Sequence, residues 1–125
     1  MTALVDTSVL IDVLRGDRAA VDLLTAIAGA GPIYASEITR TEVLVGVRDG
    51  EGEATDRLLA GLDWQAVDEE VSTAAGVLGR TWIRSHRGID TADLIIAATA
   101  QTLGLQLLTR NVKHFPMFPG LTAPY

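Results

Sequence analysis

The 125-residue chain contains no cysteine. Neither a disulfide framework nor a thiolate metal centre is therefore available, and zinc-finger chemistry is excluded. Any metal must be held by oxygen or imidazole, and the absence fits a reducing compartment. The amino-terminal stretch has no basic flank of the signal-peptide kind, and the longest apolar run falls well short of the roughly 20 residues a membrane span needs. The expectation is a soluble cytoplasmic protein with no membrane partner. Internal repeats, low-complexity tracts and linkers are also missing. The only breaks are short ones, at Gly29 to Pro32, Gly50 to Gly52, Gly88 and Gly104. A chain of this length buries roughly two-thirds of the surface its unfolded form exposes, enough for one core, so residues 1–125 are read as one domain.

Basic residues are scarce as well, and the formal net charge is −6. That balance argues at first against a nucleic-acid partner, because phosphate binding is driven by Lys and Arg. The distribution softens the objection. Residues 1–70 carry five arginines against fourteen acids, for −9, whereas residues 71–125 carry Arg80, Arg84, Arg87, Arg110 and Lys113 against only Asp90 and Asp93, for +3. Both histidines, His86 and His114, lie in this second part. An acidic centre beside a cationic strip is compatible with holding a phosphate backbone, although solvated helix faces account for the same charges.

Most informative is where the acids sit. Asp6 closes the apolar run Ala3-Leu4-Val5, Glu42 interrupts an apolar stretch, and Asp90 and Asp93 open the run Leu94 to Ala98. A carboxylate at the edge of an apolar segment costs several kcal/mol of desolvation unless it is compensated, and one hard cation compensates several at once. Hard divalent cations prefer oxygen ligands and help water attack phosphorus while neutralising charge on phosphoryl oxygens. The pattern points to a carboxylate-held Mg²⁺ or Mn²⁺ site for cutting phosphodiester bonds. No Ser-His-Asp or Cys-His set competes with it.

Local patterns place these residues on alternating elements. Strands are predicted over Ala3 to Asp6, Ile33 to Ala35, Trp64 to Val67 and Leu105 to Leu108. Helices are predicted from a Thr7 or Ser8 cap through Arg15, over Asp17 to Ala28, from a Ser36 cap to about Arg48, over Glu53 to Leu62, Glu69 to Ser85 and Asp90 to Leu103. Strands separated by helices need crossover connections, which implies an α/β fold, a three-layer α/β/α sandwich around a central parallel sheet. Ligands of such sheets bind beyond the carboxyl ends of the strands, where Asp6 and the Thr109-Arg110-Asn111 loop fall. Asp93 follows Asp90 by three residues on one helical turn.

Each candidate has a plainer explanation. Asp6-Thr7-Ser8 also reads as a capping turn, Glu42 as half of a buried salt bridge to an arginine, and Asp90-Thr91-Ala92-Asp93 as a capping box whose charges favour a helix N-terminus. Helix chemistry does not predict that the three features coincide. Thr7, Ser8, Thr109 and Asn111 are the candidates for positioning water or ligands, and Arg84, Arg87, Arg110, Lys113 and His114 for contacting a phosphate backbone. Trp64, Trp82 and Ile83 are read as core or interface residues, and the Pro-broken segment from Phe115 to Tyr125 as cover for a sheet edge.

Taken in order, Leu4-Val5-Asp6-Thr7-Ser8-Val9-Leu10-Ile11-Asp12, Thr41-Glu42-Val43-Leu44-Val45-Gly46, Asp93-Leu94-Ile95-Ile96-Ala97-Ala98-Thr99-Ala100, Leu108-Thr109-Arg110-Asn111 and Phe115 resemble the PIN-domain family, specifically its VapC-type toxins. The resemblance implies a Mg²⁺- or Mn²⁺-dependent endoribonuclease that arrests translation, is held inactive by a VapB-type antitoxin, and forms a homodimer or a toxin–antitoxin hetero-oligomer. By position, Asp6, Glu42 and Asp93 match the family's metal-site acids. There is one departure: where the family often has an acid before the final Phe, this chain has His114, which leaves Asp90 as a substitute ligand or the site with one tightly held ion. Two rival classes remain on the sequence alone. A Mg²⁺-binding phosphoryl-accepting regulatory domain needs acidic neighbours at its first strand and a Lys after its last; a non-catalytic binding module needs only acids that cap helices and pair with arginines.

Overall fold

A computed structural model describes residues 2–125. The elements run β1 (Ala3–Val5), α1 (Thr7–Leu14), α2 (Arg18–Ala30), β2 (Ile33–Ser36), α3 (Glu37–Val45), α4 (Gly52–Ala60), β3 (Asp63–Gln65), α5 (Glu69–Trp82), α6 (Thr91–Leu103) and β4 (Gln106–Leu108), followed by a 3-10 turn at Val112–His114. Every strand pairing is parallel, in the order β3-β2-β1-β4. The chain steps outward from β1 through β2 to β3, then returns to place β4 on the other side of β1. The carboxyl ends of β1 and β4 therefore flank the point where strand order reverses, and the connections leaving them diverge to open a crevice.

Alternation along β1 builds two cores. Leu4 faces a cluster with Val71 and Ala75 of α5, Leu94, Ile96 and Ala97 of α6, and Phe115. Ala3 and Val5 face the opposite cluster with Val9, Leu10, Ile27, Val43 and Leu59. A strand buried on both faces reads as a continuous apolar run, which is why β1 has no polar residue until its end. Helix α6 is the most deeply buried, with Asp93, Leu94 and Ile96 through Ala100 all covered. Its neighbour α5 reaches it closely at Gly79, where a Cβ would stand 3.0 Å from Leu94 Cδ1. Gly104 ends α6 in the left-handed conformation, with φ of +66°.

Several boundaries differ from the sequence reading. Asp6, not Thr7 or Ser8, occupies the cap position of α1, and it makes no capping side-chain bond because its carboxylate is engaged elsewhere. Helix α3 stops at Val45 rather than near Arg48, and Leu44 and Val45 at its end are 49% and 83% exposed. Helix α4 begins at Gly52 and ends at Ala60, β3 is Asp63–Gln65 rather than Trp64 to Val67, and α5 ends at Trp82, leaving Ile83 exposed. The Pro-broken tail does run along the β4 edge, with Phe115 buried and Phe118 and Leu121 packed on the α5–α6 core. No helix among the described residues is long and apolar enough to cross a membrane.

Candidate active site

The crevice at the strand ends is a cavity of about 510 Å³ lined by Asp6, Thr7, Ser8, Glu42, Asp90, Asp93, Arg110, Asn111 and His114, all singled out in the sequence, and by Ile11 and Asp12. Register explains the first contacts. Val5 pairs with Leu108, so the residues that follow, Asp6 and Thr109, emerge side by side. Asp6 is buried; its Oδ2 accepts hydrogen bonds from Thr109 Oγ1 at 2.7 Å and Ser8 Oγ at 2.8 Å. Ser8 Oγ in turn accepts from the Arg110 amide, and Thr109 Oγ1 from the Asn111 amide. These hydroxyls hold the carboxylate and the loop after β4 rather than capping a helix.

Glu42 projects from the middle of α3, whose start is capped by Ser36. Its Oε1 accepts a 2.6 Å hydrogen bond from Thr7 Oγ1. No arginine pairs with it among the described residues, so the salt-bridge explanation does not hold. Burial pushes the Glu42 carboxyl above its ordinary pKa, the charges of Asp6 and Asp90 push the same way, and the Thr7 bond opposes them.

At the start of α6 the capping box is present in full: Asp90 Oδ1 accepts from the Asp93 amide at 2.8 Å, and Asp93 Oδ2 accepts from the Asp90 amide at 3.0 Å. Helix chemistry thus explains how both acids are held, but not why they face Asp6 and Glu42 across one cavity. The buried Asp93 also contacts His114, Nδ1 to Oδ2 at 3.0 Å. Burial, reinforced by the Asp90 charge, pushes the Asp93 carboxyl up to about 6, against the Asp90 amide and His114.

The remaining candidates separate. Arg84, Arg87 and Lys113 are exposed and do not line the cavity, whereas Arg110 lies on its rim. His114, read as a phosphate contact, turns inward onto Asp93. The sequence reading missed Asp12 and Tyr125, joined by a 2.6 Å bond from the Tyr125 hydroxyl to Asp12 Oδ2. Asp12 stands one helical turn beyond Ser8, a spacing that could have revealed it; nothing local marks Tyr125.

Five carboxylates line one cavity, Asp6, Asp12, Glu42, Asp90 and Asp93, with no lysine or arginine paired to any of them among the described residues; they form an all-oxygen donor set whose mutual repulsion a hard divalent cation would relieve. The residues present fit such an ion chemically. They stand around the cavity rather than converge: among the described residues, no three acidic or imidazole side chains form a ready cation cage. Thr7 contacts an oxygen of Glu42, Thr109 and Ser8 an oxygen of Asp6, and His114 an oxygen of Asp93.

The PIN-domain family model matches residues 3–116. The chain is 46% identical over 123 residues to Ribonuclease VapC19 of Mycobacterium tuberculosis, covering 98% of each, and 43% identical over 122 residues to Ribonuclease VapC10 of the same organism, covering 98% of this chain and 92% of the relative. Among solved structures it superposes on a toxin–antitoxin complex from Klebsiella pneumoniae with a TM-score of 0.81 and 32% identity, over 99% of this chain and 98% of that one. It shares the fold of VapBC2 from Rickettsia felis bound to a promoter DNA fragment, with a TM-score of 0.80, 24% identity and 98% and 97% coverage.

Proposed function

This chain belongs to the PIN-domain family, and on that premise we propose that it is the toxin of a type II toxin–antitoxin pair: a VapC-type endoribonuclease that cuts RNA phosphodiester bonds, inhibits translation and is neutralised by a VapB-type antitoxin. The observation that carries this reading is one cavity lined by acids from the end of β1, from α3 and from the start of α6 without a paired lysine or arginine among the described residues.

Asp6, Glu42 and Asp93 would hold Mg²⁺ or Mn²⁺, with Asp90 assisting. When bound, the cation supplies charge that stabilises the phosphoryl oxygens and makes water easier to deprotonate. The chain's own residues supply position. Ser8 and Thr109 orient Asp6, Thr7 orients Glu42, and the Asp90 amide and His114 orient Asp93. Arg110 and the Asn111 side of the loop present polar groups at the mouth, where an RNA phosphate would enter. Arg84, Arg87 and Lys113 are left to act at a distance, raising the encounter rate of a polyanion.

The test is cleavage of RNA by the purified chain, freed of antitoxin, with Mg²⁺ or Mn²⁺ against EDTA, and with Asp6→Asn as control. Cutting that needs the cation and disappears in the variant is the expected result. Absence of cutting on diverse RNAs, despite phosphate uptake from a small donor, would replace this reading by the regulatory one. That alternative has little in its favour, because Lys113 lies outside the cavity.

A further inference from the structure

One residue of the tail reaches the rim of the site. The Tyr125 hydroxyl donates to Asp12 Oδ2 at 2.6 Å, the Arg110 guanidinium lies over the Tyr125 ring 4.7 Å from its centroid, and Arg110 Nη1 donates to the Tyr125 backbone oxygen at 2.6 Å. Asp12 and Arg110 both line the carboxylate cavity. Simple electrostatics predicts a different arrangement. A guanidinium beside Asp6, Glu42, Asp90 and Asp93 has its strongest attraction toward them, and its planar fork matches a carboxylate. Yet Arg110 makes no ion pair with any of the four among the described residues, and sits instead on an aromatic face and a main-chain oxygen.

We propose that Tyr125 is a positioning residue that tethers Arg110 away from the carboxylate cluster, keeping the acids open to a divalent cation and the guanidinium at the mouth for an RNA phosphate. This rests on the cation site proposed above. The Asp12 bond anchors the ring, the ring face and backbone oxygen hold the guanidinium, and the same bond occupies Asp12 so that it too stays out of the cluster. Without the tether, Arg110 would fold inward and compete with the cation for the same oxygens.

Calorimetric titration of the full, antitoxin-free chain with Mn²⁺ tests the tether. Tyr125→Ala should weaken Mn²⁺ binding about three- to fivefold, the size of one partly exposed ion pair. Adding Arg110→Ala should restore the parent affinity, because no guanidinium is left to compete. Tyr125→Phe, which keeps the ring face but loses the Asp12 anchor, should fall between the parent and Tyr125→Ala. Arg110→Lys gives a second route that leaves the tail intact: an ammonium has neither fork nor plane to be held by, so it too should weaken Mn²⁺ binding. Parent-like binding in both Tyr125→Ala and Arg110→Lys overturns the proposal, as does a loss that Arg110→Ala fails to reverse. If neither the parent nor Asp6→Asn binds Mn²⁺ saturably, the cation site itself falls, and the tether with it.

Discussion

Thr109 Oγ1 donates a 2.7 Å hydrogen bond to Oδ2 of Asp6, joining side chains 103 positions apart at the carboxyl ends of neighbouring parallel strands. Both residues are buried, and the bond has a charged acceptor, the stronger kind.

Thr109→Val keeps the shape and removes the donor. It should cost about 1 to 3 kcal/mol of stability, because the carboxylate loses a buried partner, and should also weaken divalent-cation binding as Asp6 loses its orientation. Urea melts with and without Mn²⁺ measure both effects. Unchanged melts would mean that Ser8 alone holds Asp6.

The raised Asp93 carboxyl has a consequence for stability against pH. Its folded pKa of about 6 lies above the ordinary 3.8, so folding favours the protonated form. The contribution is full below the unfolded value and is lost as pH rises through about 6. Asp93→Asn, which cannot charge, should therefore be more stable than the parent at pH 7.5 in EDTA, by roughly 1 to 3 kcal/mol, with the difference vanishing below about pH 4. Added Mn²⁺ should reverse the order, since only the parent gains a ligand. Melting temperatures across pH 4 to 8 check this, and a parent as stable as the variant throughout would refute it.

Asp90 caps α6 and faces the cavity, and two substitutions separate these roles. Asp90→Ala should lose about 1 kcal/mol through the missing cap, whereas Asp90→Asn keeps an acceptor for the Asp93 amide and should melt near the parent. Both should bind Mn²⁺ more weakly if Asp90 compensates for His114 standing where an acid is common. Unchanged affinity and cleavage in Asp90→Asn would end that compensation.

An unpaired acidic cavity also predicts how the toxin is silenced. A basic side chain of the antitoxin, an arginine above all, should enter among Asp6, Glu42 and Asp93 and occupy the place of cation or substrate. Replacing the basic residues of the antitoxin's docking segment should restore RNA cleavage in the complex. Full inhibition by such a variant would refute the mechanism.

Much of the site was legible along the chain because acids at the edges of apolar runs are costly wherever they occur, and that cost does not depend on the fold. The capping box at Asp90 and Asp93 and the Ser36 cap are local patterns, and they are present as read. Leu44 and Val45 show the limit of local patterns: an apolar residue on a helix is buried only if something packs against it, and α3 ends there without a cover.

Periodicity, caps and desolvation act over a few residues, so the alternation of strands and helices, the parallel character of the sheet and the acids at the edges of apolar runs were readable along the chain. The tertiary structure alone decided the strand order β3-β2-β1-β4, and with it which hydroxyl meets which carboxylate. Thr109 on Asp6, Thr7 on Glu42, His114 on Asp93 and Tyr125 between Asp12 and Arg110 are pairings between segments distant in the chain. They exist because the fold brings those strand ends, helices and the tail together, and no local preference of either partner encodes the other.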